Sequence, residues 1–134
     1  MRIEHIAFWT TDLERFKGFY TAYFGATADA GYVNPAKGFE SCFLSFPDGA
    51  RIEAMQTTTL SPVIVKPGAQ RMGLTHIAMC VGSEKQVDAL TQRLKDDGFP
   101  ILDGPRRTGD GYYESVTLDP DGNRVEITAD RDSC

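Results

Sequence analysis

A short stretch near the start of this sequence recurs, in order and nearly in register, in its second half. Ile3-Glu4-His5-Ile6-Ala7-Phe8 aligns with Leu74-Thr75-His76-Ile77-Ala78-Met79, 71 residues further on. In the first segment His5, Ala7 and Trp9 alternate with Ile6 and Phe8; in the second His76, Ala78 and Cys80 alternate with Ile77, Met79 and Val81. A period of two over this length describes a β-strand with two chemically different faces, because successive side chains point to opposite sides. Both strands then reach a helix start. Thr11-x-x-Glu14 and Ser83-x-x-Gln86 match the capping-box pattern, 72 residues apart, with Asp12 an alternative cap in the first copy. Leu13, Phe16, Tyr20 and Phe24 form one helical stripe, and Val87, Leu90 and Leu94 form the other. Gly25 and Gly98 are placed to close the helices in the left-handed region. The aromatic set Phe16, Phe19, Tyr20, Tyr23 and Phe24 reads as packing of the first helix.

The correspondence continues past the helices. Phe43-Leu44-Ser45-Phe46, the turn Pro47-Asp48-Gly49 and Arg51-Ile52-Glu53-Ala54 parallel Ser115-Val116-Thr117-Leu118, Asp119-Pro120-Asp121-Gly122 and Arg124-Val125-Glu126-Ile127. Asp-Gly between alternating runs is a hairpin signal. The offset grows from 71 to 72 to 73, as two single-residue insertions would produce, so the chain is a duplication. Each copy predicts a strand, a helix and then two or three antiparallel strands. That is an α+β fold of two βαβββ modules, residues 1–56 and 73–130, joined by a connector at 57–72. Each helix covers the face bearing Ile6 and Phe8, or Ile77 and Met79, leaving the His-bearing face to close against its counterpart. The 134 residues would then make a single domain: an open, cup-shaped, barrel-like mixed sheet with the helices outside. The connector holds Pro62, Pro67 and Gly68 and is long for a bare loop. It is expected to order against a partner subunit or to lid the cleft.

Bulk properties remove several classes of function. Net charge is −5 and the 14 basic residues are scattered, with no arm or stripe to follow a phosphate backbone, so no nucleic-acid partner is expected. No apolar run approaches the roughly 20 residues that span a bilayer, so no membrane partner is expected either. MRIEHIAFW alternates instead of building an apolar signal-peptide core. Cys42, Cys80 and Cys134 are three widely spaced thiols without a CxxC. They read as reduced residues of a cytoplasmic protein, two small buried side chains and a tail thiol.

The chain has only two histidines, and the repeat makes them equivalent. Alternation puts Arg51, Glu53 and Met55 on one face of the last strand of the first copy, and Arg124, Glu126 and Thr128 on the matching face in the second. A lone histidine on a strand is more often a satisfied polar residue than a ligand. Two His–Glu pairs recurring on symmetric faces of otherwise apolar strands point instead to a shared divalent-metal site of His5, Glu53, His76 and Glu126. Two imidazole nitrogens and two carboxylates suit Ni, Zn, Fe, Mn or Co, with positions left open for water or substrate. Trp9, on the His5 face, can wall a substrate pocket or simply pack. Arg51 and Arg124 are expected to pair with acids near strand ends. Arg106 and Arg107, between Gly104 and Gly111, read as an exposed loop, with Arg107 the candidate to close over a substrate carboxylate.

These motifs resemble the vicinal oxygen chelate superfamily, which holds glyoxalase I, bleomycin resistance proteins and dioxygenases. The features are His-Ile-Ala twice, Asp12-Leu13 running to Phe19-Tyr20, Phe24-Gly25, Arg51-Ile52-Glu53 and the closing Asp119-Pro120-Asp121-Gly122-Asn123-Arg124-Val125-Glu126. The likeness covers nearly the whole chain and is greatest to glyoxalase I (lactoylglutathione lyase) and its bacterial relatives. It implies paired βαβββ modules, a homodimer, and a His/Gln-Glu-His-Glu ligand pattern that falls on His5, Glu53, His76 and Glu126. Glyoxalase I has an Arg four residues after its first ligand and an Asn four after its second, both contacting glutathione. Trp9 and Thr57 stand there, so glutathione or another thiol cofactor does not follow from the resemblance.

The chemistry expected is a metal-dependent lyase or isomerase acting on a small molecule with vicinal oxygens through an enediolate. Glu53 or Glu126 would serve as general base, and the resemblance favours Glu126. Two other readings stay open: another reaction of the same superfamily, such as epimerisation or ring cleavage by a dioxygenase, and a non-catalytic small-molecule binding or resistance protein.

Overall fold

A computed structural model describes residues 1–61, 66, 69, 70 and 72–130. Pro62, Pro67 and Gly68 of the connector, and the tail thiol Cys134, lie outside the described residues. Contacts divide the chain into two compact units, Met1–Ile64 and Val65–Cys134. The fold is α+β with two modules.

The first unit runs β1 (His5–Trp9), α1 (Leu13–Phe24), β2 (Thr27–Ala28), β3 (Tyr32–Asn34), β4 (Phe39–Ser45) and β5 (Arg51–Thr57). Its sheet has the order β1-β5-β4-β2, with β3 also on β4. β1 lies parallel to β5, and β4 is antiparallel to β5, β2 and β3. The second unit runs β6 (Ile77–Gly82), α2 (Glu84–Asp96), β7 (Ile101–Arg107), β8 (Tyr113–Leu118) and β9 (Arg124–Ala129), with the order β6-β9-β8-β7. Here β6 is parallel to β9 and the other pairs are antiparallel. Both sheets are open and mixed, and in each the first strand docks beside the last. That pairing brings the His-bearing and Glu-bearing strands together.

Each helix buries one stripe. Phe16 and Tyr20 are fully buried in the first unit, with Phe8 of β1 against Phe16 at a ring-centroid distance of 5.6 Å. Leu44, Ile52 and Ala54 complete that core. Val87 and Leu94 cover Val125 and Ile127 in the second unit, all four fully buried. Burying each large side chain contributes about 1.5–3 kcal/mol. A buried polar contact between α2 and β8 is satisfied internally: Thr91 Oγ1 donates to the Val87 carbonyl at 2.6 Å and shares a 2.6 Å hydrogen bond with Ser115 Oγ.

Several local expectations change. The cap of α1 is Asp12, not Thr11: its Oδ1 accepts from the Arg15 N–H at 2.9 Å while its own backbone is extended. In α2, Ser83 and Gln86 do form the full reciprocal box. The strand after α1 is broken into β2 and β3. Asp29 Oδ1 accepts the N–H of Gly31 and of Phe43, both at 3.0 Å, so a side chain takes over part of the β4 ladder. Residues expected in a loop before Gly111 are strand as far as Arg107, because Tyr113 and Glu114 pair with Arg107 and Arg106. Strand β5 reaches Thr57, so it takes in the first residue of the expected connector. Cys42 is buried, but Cys80 is exposed, since alternation puts it on the His76 side of β6 and not on the helix side.

Candidate functional site

The two units build the same local arrangement. In the first, Ala7 of β1 lies opposite Glu53 of β5, His5 lies opposite Arg51, and Phe43 flanks Glu53 from β4. In the second, Ala78 of β6 lies opposite Glu126 of β9, with Val116 of β8 on the far side. His76 sits one residue ahead of β6, where His5 opens β1. Each histidine thus precedes a small alanine by two residues and shares its face, and the alanine leaves room for the imidazole to lean toward the glutamate. His5 Nε2 stands 3.5 Å from Glu53 Oε2, and His76 Nε2 stands 3.4 Å from Glu126 Oε2. The carboxylates are the sheltered members, 19% and 16% exposed, and the imidazoles the more open ones.

These separations exceed the 2.7–3.2 Å of a good N–H···O bond. They are what two donors on one cation need: bonds of about 2.0–2.2 Å to nitrogen and oxygen enclose such a gap at a roughly tetrahedral angle. The donor types fit a divalent ion of the borderline class. Among the described residues, no three His, Cys, Asp or Glu side chains converge as a ready-made cluster, so the donors occur as two pairs.

The surroundings of the pairs differ. His5 Nδ1 is 2.5 Å from Glu4 Oε2, and Arg51 Nε donates to Glu4 Oε1 at 2.8 Å. The His5 ring N–H, and then the Arg51 guanidinium, hold the Glu4 carboxyl below the usual carboxylate range. With the proton on Nδ1, Nε2 keeps a lone pair free to accept a proton or a cation, and a carboxylate behind a histidine in this way is common at bound metals. Arg51 also lies 3.9 Å from the centre of the Phe43 ring, which fixes its far end. In the second unit Thr75 occupies the place of Glu4 in the repeat. There a third carboxylate appears instead. Glu114 hydrogen-bonds to Glu126, and burial, then the Glu126 charge, push its carboxyl upward against the pull of Arg106.

Of the remaining candidates, Trp9 pairs with Met55, is 48% exposed and meets Phe39 edge-on at 6.3 Å. Arg107 ends β7 in an ion pair with Glu84, its guanidinium 6.0 Å from the centre of the Tyr113 ring. Arg106 is paired with Asp103 at 2.5 Å. Arg51 pairs with an acid as anticipated, and the acid is Glu4.

Glu4 and Glu114 were not singled out from sequence. Glu4 lies just outside β1, where alternation no longer assigns a face, and its only signal is charge complementarity with Arg51. Strand pairing makes Ser41 the counterpart of Glu114, one residue from the register that sets Phe43 against Ser115, so a search for what the copies share passes over it.

The family model of the Glyoxalase/Bleomycin resistance protein/Dioxygenase superfamily matches residues 2–127. The chain belongs to this superfamily. Among curated members and relatives, it is 39% identical over 62 residues to the uncharacterized protein YqjT of Bacillus subtilis, covering 44% of this chain and 48% of that protein. It is 32% identical over 84 residues to the catechol-2,3-dioxygenase of Bacillus subtilis, covering 63% of this chain and 28% of that enzyme. The chain therefore spans about half the length of one curated relative and little more than a quarter of the other. A glyoxalase I variant from Zea mays shares the superfamily fold with a TM-score of 0.77 at 24% identity, over 96% of this chain and 45% of that one. No helix among the described residues is long and apolar enough to cross a membrane.

Proposed function

We propose that the chain is a metal-dependent, glyoxalase I-like lyase or isomerase, with His5, Glu53, His76 and Glu126 holding one divalent ion. The observation that carries the reading is the twofold recurrence of an Nε2–Oε2 gap of 3.4–3.5 Å. Nickel, zinc, manganese, iron and cobalt all accept this donor set. The bound ion supplies Lewis-acid stabilisation for negative charge that develops on two neighbouring substrate oxygens.

The chain's own groups do the rest. Glu126 would leave the ligand set to take a proton from the substrate carbon beside the carbonyl and return it to the neighbouring carbon, while the hydroxyl proton passes to the other vicinal oxygen, so the reaction is redox-neutral and passes through an enediolate. Glu53 is its symmetric equivalent and the alternative base. His5 is kept in the ligating orientation by Glu4, and the partial burial of both glutamates strengthens their charge interactions. The substrate is a small molecule with vicinal oxygens, bound in a homodimer of single-domain chains built from modules 1–56 and 73–130. Glutathione is not required by the residues at Trp9 and Thr57. Arg107 serves a substrate carboxylate only if it exchanges its Glu84 partner.

A second reading draws on the similarity to a catechol-2,3-dioxygenase: ring cleavage on the same donors. The assay separates the two. Metal-loaded protein is followed for loss of the hemithioacetal of methylglyoxal with glutathione and with other thiols, and for ring opening of catechol under oxygen. Hemithioacetal turnover that falls by about 10²–10⁴-fold in Glu126→Gln supports the isomerase. Catechol turnover alone assigns the dioxygenase. Turnover of neither retires both.

A further inference from the structure

We propose that the first unit carries a subsite for a ring-sized apolar substituent of the substrate, built by Trp9, Tyr32, Phe39 and Met55. The inference rests on the metal-site reading above and adds to it the substrate class: a vicinal-oxygen compound bearing an aromatic or similarly bulky apolar group.

Strand register places the four side chains. Directly paired residues share a sheet face, and Trp9 pairs with Met55, Met55 with Ser41, Ser41 with Tyr32, and Phe39 with Thr57. His5, Ala7 and Glu53 belong to the same face by alternation. Met55 is one same-face step from Glu53, about 7 Å along the strand. The rings form a row: Phe39 meets Trp9 at 6.3 Å with planes at 87°, and Tyr32 at 6.2 Å with planes at 53°. Trp9 is 48% exposed and Tyr32 56% exposed, although both lie in regular strands. None of the four is charged, so the surface suits an apolar group and offers a carboxylate no ion pair.

The second unit shows that this is not a by-product of the fold. Strand pairing puts Cys80 where Trp9 stands, Thr128 where Met55 stands and Arg106 where Tyr32 stands, while Tyr112 takes the place of Phe39. The copies keep the His–Glu pair and one aromatic position, and at the other three the apolar side chains of the first unit give way to a thiol, a hydroxyl and a guanidinium. A continuous apolar surface beginning one residue step from a proposed ligand fits the part of the substrate that extends from the chelating oxygens.

Trp9 is the only tryptophan in the chain, so its emission reports this surface directly. Mandelate and lactate carry the same vicinal hydroxyl and carboxylate oxygens and differ only in phenyl against methyl. Both are titrated into the full chain, with and without Zn²⁺, while emission is followed; Zn²⁺ affinity is measured separately. Mandelate should bind about tenfold more tightly than lactate and shift Trp9 emission to the blue. Tyr32→Ala and Phe39→Ala should bring that ratio to within about twofold, with lactate and Zn²⁺ affinities unchanged. Equal affinities in the native protein, or a phenyl preference intact in Phe39→Ala, overturn the subsite while leaving the metal site standing. A ligand-free blue shift that grows with protein concentration means a second copy sits on the rings, and also overturns it. Phenyl preference without any Zn²⁺ binding keeps the subsite and sinks the metal reading instead.

Discussion

Replacing Glu4 by glutamine removes a charge that stands one hydrogen bond and one imidazole ring away from the proposed metal, and leaves the shape of the side chain intact. In the structure Glu4 accepts from His5 Nδ1–H at 2.5 Å and is braced by Arg51 Nε at 2.8 Å. An amide oxygen can still accept from Nδ1–H, so the ring stays oriented, but it no longer raises the electron density at Nε2. Partners of this kind are worth 10–100-fold in metal affinity. The Glu4 side chain is 52% exposed, so water and salt screen it, and the expected loss is at the low end, about tenfold. Glu4→Ala, which also frees the ring, should lose at least as much. Thr75→Ala, the corresponding change in the second unit, should have little effect. Zn²⁺ titration against a competing chromophoric chelator reads the affinity. ¹⁵N NMR of metal-free protein reads the His5 tautomer, which should move away from Nδ1–H in Glu4→Ala. Affinities within about twofold of native in both Glu4 variants, with the tautomer unchanged, would refute the role assigned to Glu4.

Other outcomes follow from the same structure. Asp12→Ala should destabilise the first unit by about 1 kcal/mol and Thr11→Ala by much less, since Asp12 is the cap; urea unfolding of the two variants reads the difference. Cys80 should react promptly with a thiol reagent in the native protein and Cys42 only on unfolding, as peptide mapping after labelling would show. Burial pushes the Cys42 thiol above its ordinary value of 9.0. The folded state therefore keeps a proton that the unfolded chain releases, so this contribution is intact below about pH 9 and stability falls as pH rises past it. Thermal melts at rising alkaline pH should show that slope, and Cys42→Ala should lose its share of it.

Much of the architecture was legible because duplication supplies an internal control. Two strands opening on His-Ile-Ala, two capped helices and two Asp-Gly hairpins could be checked against each other, whereas the parallel docking of β1 on β5 and β6 on β9 is seen only in the structure. What the repeat could not convey is where the copies differ. The break at Asp29, the strand through Arg107 and the carboxylate of Glu114 each belong to one copy only. Arg107 shows the limit of composition: glycines on both sides suggested a loop, but pairing with Tyr113 on β8 decided for a strand. The His–Glu pairs were readable as face-sharing residues, whereas Glu4 could be found only from its contacts.

The central claim is that both pairs serve one ion. Its most direct test is the stoichiometry of metal binding by native protein and by His5→Ala, Glu53→Ala, His76→Ala and Glu126→Ala. The account predicts one Zn²⁺ per chain, weakened at least about tenfold by every one of the four substitutions. Two weak, independent ions per chain, or substitutions in one unit that leave binding untouched, would contradict it.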